Sequence, residues 1–159
     1  MIKFGVITVS DGVFAGKRED LSGPALETLV TNNGWIALKT IVVPDEKVSI
    51  QKAIKDFAFD SEADIILTTG GTGFTIRDVT PEATKEIIDK EAAPLAQIML
   101  MESYRHNPKS VLSRGTVGIL NQRLIHFKLP YFKKTRGKNM RSFLSMMVRG
   151  ITLYLSYLN

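Results

Sequence analysis

Cysteine is absent from this chain, so disulfides, thiolate catalysis and cysteine-based zinc sites are all excluded. Histidine is nearly absent too. His106 and His126 lie far apart, without the spacing of a metal-binding pair or a triad. Trp35 is the single tryptophan, and its place at the head of a β-rich segment suits the core better than a stacking platform. No apolar run approaches the roughly 20 residues of a membrane-spanning helix. The opening Met1-Ile2-Lys3-Phe4-Gly5-Val6 reads as a strand rather than a signal peptide. A soluble cytoplasmic protein is the expectation. No linker or repeat divides the 159 residues, so one domain over 1–159 is expected, large enough to bury a core without staples.

Acidic residues are missing from the last third. All 16 lie at or before Glu102, and Ser103 to Asn159 holds 11 lysines and arginines. The first 102 residues balance at −6 and the last 57 at +11. Such asymmetry favours a polyanionic partner: a nucleotide, a phosphorylated ligand, nucleic acid or an acidic protein. It equally suits a solvated basic face. Nucleic acid is the weakest of these readings, because the basic residues form no recognised module and few aromatics interleave with them.

What is present is an alternation of strand and helix patterns. Ile2–Val9, Trp35–Val43 and Asp64–Thr69 are apolar and rich in β-branched residues, hence strands. Ser10–Gly23 reads as a loop. Ser22-Gly23-Pro24 opens a helix to about Asn33, with Gly34 as its stop. Val48, Ile54, Phe57 and Ala58 give Val48–Phe59 helical spacing, and Pro81–Lys90 and Pro94–His106 read as further helices. Thr116–Leu120 and Arg123–Leu129 flank Asn121-Gln122 and predict a hairpin. The tail from about Lys138 to Leu158 has an apolar helical face. The pattern predicts an α/β three-layer sandwich around a mostly parallel sheet, made mixed by the hairpin.

The segment with most chemical content is Thr68-Thr69-Gly70-Gly71-Thr72-Gly73, followed by Arg77-Asp78-Val79-Thr80-Pro81-Glu82. It follows the apolar run Ile65-Ile66-Leu67 and leads into a helix start. Glycines after a strand let backbone N–H groups approach an anion. An aspartate beside such a loop suits a bound Mg²⁺ better than a bare phosphate. A plain tight turn before a helix has about the same standing from the loop alone. Ligands of parallel sheets bind beyond the C-terminal strand ends. Each of three such ends carries an aspartate, so Asp11, Asp45 and Asp78 are expected to converge on one crevice. The hydroxyls of Ser10 and Thr72 are candidates for bonding ligand oxygens. Arg77 suits either a phosphate or a neighbouring carboxylate.

Thr68 to Thr84 resembles the signature of the MogA/MoaB molybdopterin-binding family, which includes molybdopterin adenylyltransferases and the G domain of gephyrin. Val9-Ser10-Asp11 with Ser22-Gly23-Pro24 resembles its first motif, and Val43-Pro44-Asp45-Glu46 its V-P-D-E turn. Pro108, Leu112-Ser113-Arg114 and Gly118-Ile119 resemble its L-S-R…G-I segment. The resemblance covers about residues 3 to 129, with four motifs in order. It implies a molybdopterin-binding-like domain, a homo-oligomer (a trimer), and contacts with other cofactor-biosynthesis proteins. It implies Mg²⁺-dependent transfer of AMP from ATP to molybdopterin, with pyrophosphate released. Asp45 and Asp78 would be the catalytic and metal-binding residues. Ser10, Asp11, Gly70, Gly71, Thr72, Gly73 and Thr80 would line the same pocket, and Ser113 would border its pterin side.

The family pattern breaks at Phe127–Lys138. There the family continues with N-L-P-G, and this chain reads Lys128-Leu129-Pro130-Tyr131 before a run carrying Lys133, Lys134, Arg136 and Lys138. Two readings stay open. The basic side chains replace the glycine loop at the nucleotide phosphates, or the chain is a non-catalytic pterin-binding or scaffold homologue with a degenerate nucleotide site.

Overall fold

The computed structural model describes residues 1–127. The helix expected for the tail and the basic segment after Phe127 lie outside the described residues. Six strands build one sheet: β1 (Lys3–Val9), β2 (Ile36–Val43), β3 (Ile65–Thr69), β4 (Lys90–Glu91), β5 (Val117–Leu120) and β6 (Arg123–Phe127). Their spatial order is β2-β1-β3-β6-β5-β4. The β2–β1, β1–β3 and β3–β6 pairs are parallel, and β6–β5 and β5–β4 are antiparallel. The mostly parallel, mixed sheet expected from the sequence is therefore what forms.

Helices cover both faces. On one, α2 (Ser22–Asn32) and α5 (Ala93–His106) bury Leu26, Val30 and Met99 against Phe4, Val6 and Leu67. Trp35 stacks on Phe4 at 5.1 Å between ring centroids, in the core role its position suggested. On the other face, α3 (Lys47–Asp60) and α4 (Thr80–Lys85) bury Ile50, Ile54 and Ala83 against Ile7, Ile66 and Ile125. Each fully buried aliphatic side chain contributes about 1.5–3 kcal/mol over leaving it in water.

Four local expectations need correction. First, β1 begins at Lys3, and Ile2 packs against the core from outside the strand. Second, Ser10–Gly23 is not loop throughout. A single helical turn, α1 (Asp11–Phe14), forms because the Ser10 hydroxyl accepts from the Val13 amide. Third, Val48 is 77% exposed, so the buried stripe of α3 is Ile50, Ala53, Ile54, Phe57 and Ala58. Fourth, the helix read as Pro81–Lys90 ends at Lys85. The chain turns so that Ile87 and Ile88 pack on the core, and the Asp89 amide bonds Ile119 O at 2.7 Å. That turn delivers Lys90 and Glu91 to β5 as a short edge strand absent from the sequence reading. Between α5 and β5, where the sequence pattern predicts no element, Pro108–Leu112 forms a 3-10 helix, capped by the Asn107 side chain on the Lys109 amide.

The hairpin forms as expected. Asn121 and Gln122 both take left-handed φ, +49° and +60°, as a two-residue turn between right-twisted strands requires.

Candidate active site

The three parallel strands β1, β2 and β3 end side by side, so the loops that follow them are neighbours. The Ser10 amide donates to Val43 O at 2.9 Å and ties the first two loops together. Asp11 and Asp45 then cap each other. The Asp11 amide donates to Asp45 Oδ2 at 2.8 Å, and the Asp45 amide donates to Asp11 Oδ1 at 3.0 Å. Arg77, from the third loop, closes the ring. Its Nε and Nη2 donate to the Asp11 carboxylate at 3.0 and 2.8 Å. Of the two roles open to Arg77, the structure shows the carboxylate pair.

The third loop is a tight backbone nest. Gly70 has φ +101°, and a β-carbon there would stand 2.0 Å from Val9 O. Gly71 has φ +63°, and a β-carbon there would meet Thr80 Oγ1 at 2.3 Å and Asp45 Oδ1 at 3.0 Å. Only glycine fits these conformations at such approach. Thr80 is fully buried and locks the nest from below. Its hydroxyl donates to Gly70 O at 3.1 Å and its amide to Gly71 O at 3.0 Å. Asp78 shapes the loop's far side by accepting from the Thr75 amide at 2.9 Å and the Thr75 hydroxyl at 2.6 Å.

Charge is distributed unevenly among the three aspartates. The backbone bond from Asp45 and the Arg77 guanidinium hold the Asp11 carboxyl below its ordinary range. Partial burial pushes Asp45 up. The Asp11 amide opposes this, and the charges of Asp11 and Asp78 push it further up. Burial also raises Asp78, but the Thr75 bonds, the Gly73 amide and Arg114 outweigh it and leave it lowered. Partners that share a bond thus shift oppositely, because burial dominates at Asp45, whereas the backbone bond and the Arg77 guanidinium dominate at Asp11. Asp45 Oδ1 faces Gly71 and accepts no hydrogen bond among the described residues.

The structure brings Asp11, Asp45, Gly70, Gly71, Thr72, Gly73, Asp78 and Thr80 together. Thr72 is buried, and its carbonyl accepts from the Arg114 amide at 3.3 Å. Ser10 lies against them, but its hydroxyl already accepts from Val13 N and from Arg18 Nη2 at 3.0 Å. The Ser10 and Thr80 hydroxyls are thus committed to the protein's own groups. Ser113 caps the 3-10 helix through its amide on Ser110 O, one residue before Arg114. Two residues at this site escaped the sequence reading, Arg114 and Glu82, which pair with each other. Arg114 stood inside the quoted L-S-R motif, and Glu82 inside the helix start, so the signal was present without its meaning.

Beyond the Asp11–Asp45 pair, on the side away from the glycine nest, lies an open groove of about 860 Å³. Its walls include Phe14, Ile41, Val43 and Ala53, with Asp11 and Lys52 among its charged groups.

A crevice at the ends of parallel strands, built from a glycine nest and converging aspartates, defines an α/β protein with its cleft where such folds bind ligands. Residues 5–147 match the family described as a probable molybdopterin binding domain, and the chain belongs to that family. It is 41% identical over 133 residues to a molybdopterin adenylyltransferase of Pyrococcus furiosus, covering 80% of this chain and 76% of that one. It is 41% identical over 126 residues to the molybdenum cofactor synthesis protein cinnamon of Drosophila melanogaster. That match takes in 78% of this chain and only 21% of the fly protein. The crystal structure of the molybdopterin biosynthesis enzyme MoaB of Thermus thermophilus superposes with a TM-score of 0.84 at 34% identity, covering 97% of this chain and 96% of that one.

Proposed function

We propose that this protein acts in molybdenum cofactor biosynthesis by transferring AMP from ATP to molybdopterin. An acceptor oxygen on the pterin attacks the α-phosphorus, the bond to the β-phosphate oxygen breaks, and pyrophosphate leaves. The observation that carries this reading is the convergence of Asp11, Asp45 and Asp78 around the Gly70–Gly73 nest. The relatives named molybdopterin adenylyltransferase support it.

Nucleotidyl transfer asks for positioning and charge neutralisation more than for a protein nucleophile. The nest at Gly70 and Gly71 lets the backbone approach a phosphate closely. Asp45 and Asp78 stand near enough for the charge of one to raise the pKa of the other. Among the described residues no group of three or more potential ligands could hold a metal ion. Mg²⁺ commonly takes only one or two carboxylates, with waters and substrate phosphates completing its shell. The Oδ1 of Asp45, without a donor among the described residues, and the mutual repulsion of the aspartates fit that requirement. Asp45 and Asp78 would hold the ion, which when bound neutralises charge on the phosphates. Ser113, beside Arg114, borders the pterin end.

The protein works as a homotrimer in the cytoplasm and meets other proteins of the same biosynthesis. Ile98, Met101 and Tyr104 recur on an exposed face of α5 and suit a subunit contact. No helix among the described residues is long and apolar enough to cross a membrane. The sequence departure at Lys128 and Tyr131, which flank the retained Leu129-Pro130, favours one other reading, a pterin-binding scaffold without transfer. Mixing the protein with ATP, Mg²⁺ and molybdopterin and following pyrophosphate separates the two. Release supports transfer, and pterin binding without release supports the scaffold.

A further inference from the structure

Arg114 makes more contacts to the glycine loop than any role so far requires. Its amide donates to Thr72 O. Its Nε donates to Gly73 O at 2.8 Å, and its Nη2 donates to Asp78 O at 2.5 Å. Its Nη1 pairs with Glu82 on α4. Its guanidinium also lies 5.9 Å from the centre of the Phe74 ring. All three side-chain nitrogens are therefore spent on the protein, and Glu82 balances the charge. An arginine so occupied is not a free phosphate ligand.

The two carbonyls it holds are the two ends of loop 73–78, the loop that carries Arg77 and Asp78. Inside the loop, Asp78 is tied only to its near neighbours Thr75 and Gly73. Those bonds fix the loop's internal shape, but not its place over the crevice. Arg77 ties the loop to Asp11, and Arg114, from a further part of the chain, anchors both of its ends. Phe74 and Ile76, at 70% and 94% exposed, offer the loop no apolar burial of its own.

We propose that Arg114 is a positioning residue for adenylyl transfer, stapling both ends of loop 73–78 so that Asp78 and Arg77 stand where the reaction needs them. This rests on the adenylyltransferase reading above. Only a planar fork serves three acceptors lying in different directions, and a lysine ammonium cannot hold both carbonyls and Glu82 at once. A misplacement of about 1 Å at a reacting centre costs on the order of 10²-fold in rate.

The test uses Arg114→Lys, with Arg114→Ala as the stronger variant, and two separate readouts. The first is amide exchange at Thr75 and Asp78 in the ligand-free protein, which needs no activity. It is expected to quicken about tenfold or more, as local opening without the staple becomes easier. The second is the split between kcat and KM. Turnover is expected to fall about 10²-fold with a much smaller change in the KM for ATP. Millimolar guanidinium, but not sodium chloride, should restore part of the Arg114→Ala turnover. Unchanged exchange overturns the staple. A loss confined to the KM for ATP overturns it in favour of direct phosphate contact. A loss of turnover that follows thermal stability, with no guanidinium rescue, overturns it in favour of a merely structural role. If the unaltered protein transfers no AMP, the functional reading fails, and exchange at Thr75 and Asp78 still decides whether Arg114 holds the loop.

Discussion

Asp11 and Asp45 each cap the other's backbone: the amide of each donates to the carboxylate of its partner, at 2.8 and 3.0 Å. This reciprocal pair fuses the ends of β1 and β2 into one rigid rim. It also places two carboxylates side by side, which a protein built for stability alone would avoid. Arg77 relieves Asp11, whereas Asp45 keeps an oxygen with no donor among the described residues, beside Gly71. Under the proposed function, the less relieved member of the pair is the one that would receive the cation.

Replacing that member separates stability from function. The folded protein raises the Asp45 pKa, chiefly by burial. Its favourable contribution is therefore present below the unfolded pKa and is lost as pH rises through the folded one. At neutral pH the charged Asp45 is a liability to the fold. Asp45→Asn is expected to raise the thermal midpoint at pH 7 while abolishing AMP transfer. The gain should shrink as pH falls through the folded pKa. Melting curves at pH 4 and pH 7, beside turnover, check it. A lower midpoint at pH 7 would contradict it.

Asp78 behaves in the opposite sense. Its pKa is lowered, so its contribution is present above the unfolded pKa and is lost as pH falls through the folded one. Asp78→Asn keeps an acceptor for the Thr75 amide and hydroxyl but removes the charge. Stability should fall by about 1 kcal/mol, and turnover by on the order of 10²-fold or more. Thermal melts beside turnover read both. Turnover close to that of the unaltered protein would reduce Asp78 to a turn cap.

Gly70→Ala tests the nest. The new β-carbon meets the Val9 carbonyl at 2.0 Å, a backbone atom that cannot swing aside. The variant is expected to lose about 1–3 kcal/mol or more and to bind nucleotide poorly. A denaturant titration with ATP calorimetry reads both. Wild-type affinity would show that the nest does not contact the ligand.

Assembly is open to direct weighing. Light scattering should give a mass three times the 17.7 kDa chain. Met101→Asp, on the exposed face of α5, should shift that mass toward the monomer without unfolding the chain. A monomer mass for the unaltered protein at micromolar concentration would contradict the trimer.

The sequence made the sheet legible because β1, β2 and β3 are apolar runs rich in β-branched residues, buried in β1 and β3 and partly exposed along the edge strand β2. The aspartates were legible for the same reason: once the strands were placed, Asp11, Asp45 and Asp78 had to follow their ends. What failed depended on tertiary context. Ile87 and Ile88 continue a helical pattern, yet the β5 edge turns them out of the helix to pair Lys90 and Glu91. Ser10 looks like a free hydroxyl until the structure shows it accepting from the Val13 amide and Arg18. Arg114 lies far along the chain from the acceptors it joins, and no local pattern announces such a contact.

The most direct test follows the α-phosphate. Purified protein is incubated with α-labelled ATP, Mg²⁺ and molybdopterin, and label on the pterin is measured against pyrophosphate released. Transfer of label with an equal yield of pyrophosphate, both dependent on molybdopterin, is the predicted result. Molybdopterin that binds tightly while neither label nor pyrophosphate appears would contradict catalysis and leave the crevice as a binding site alone.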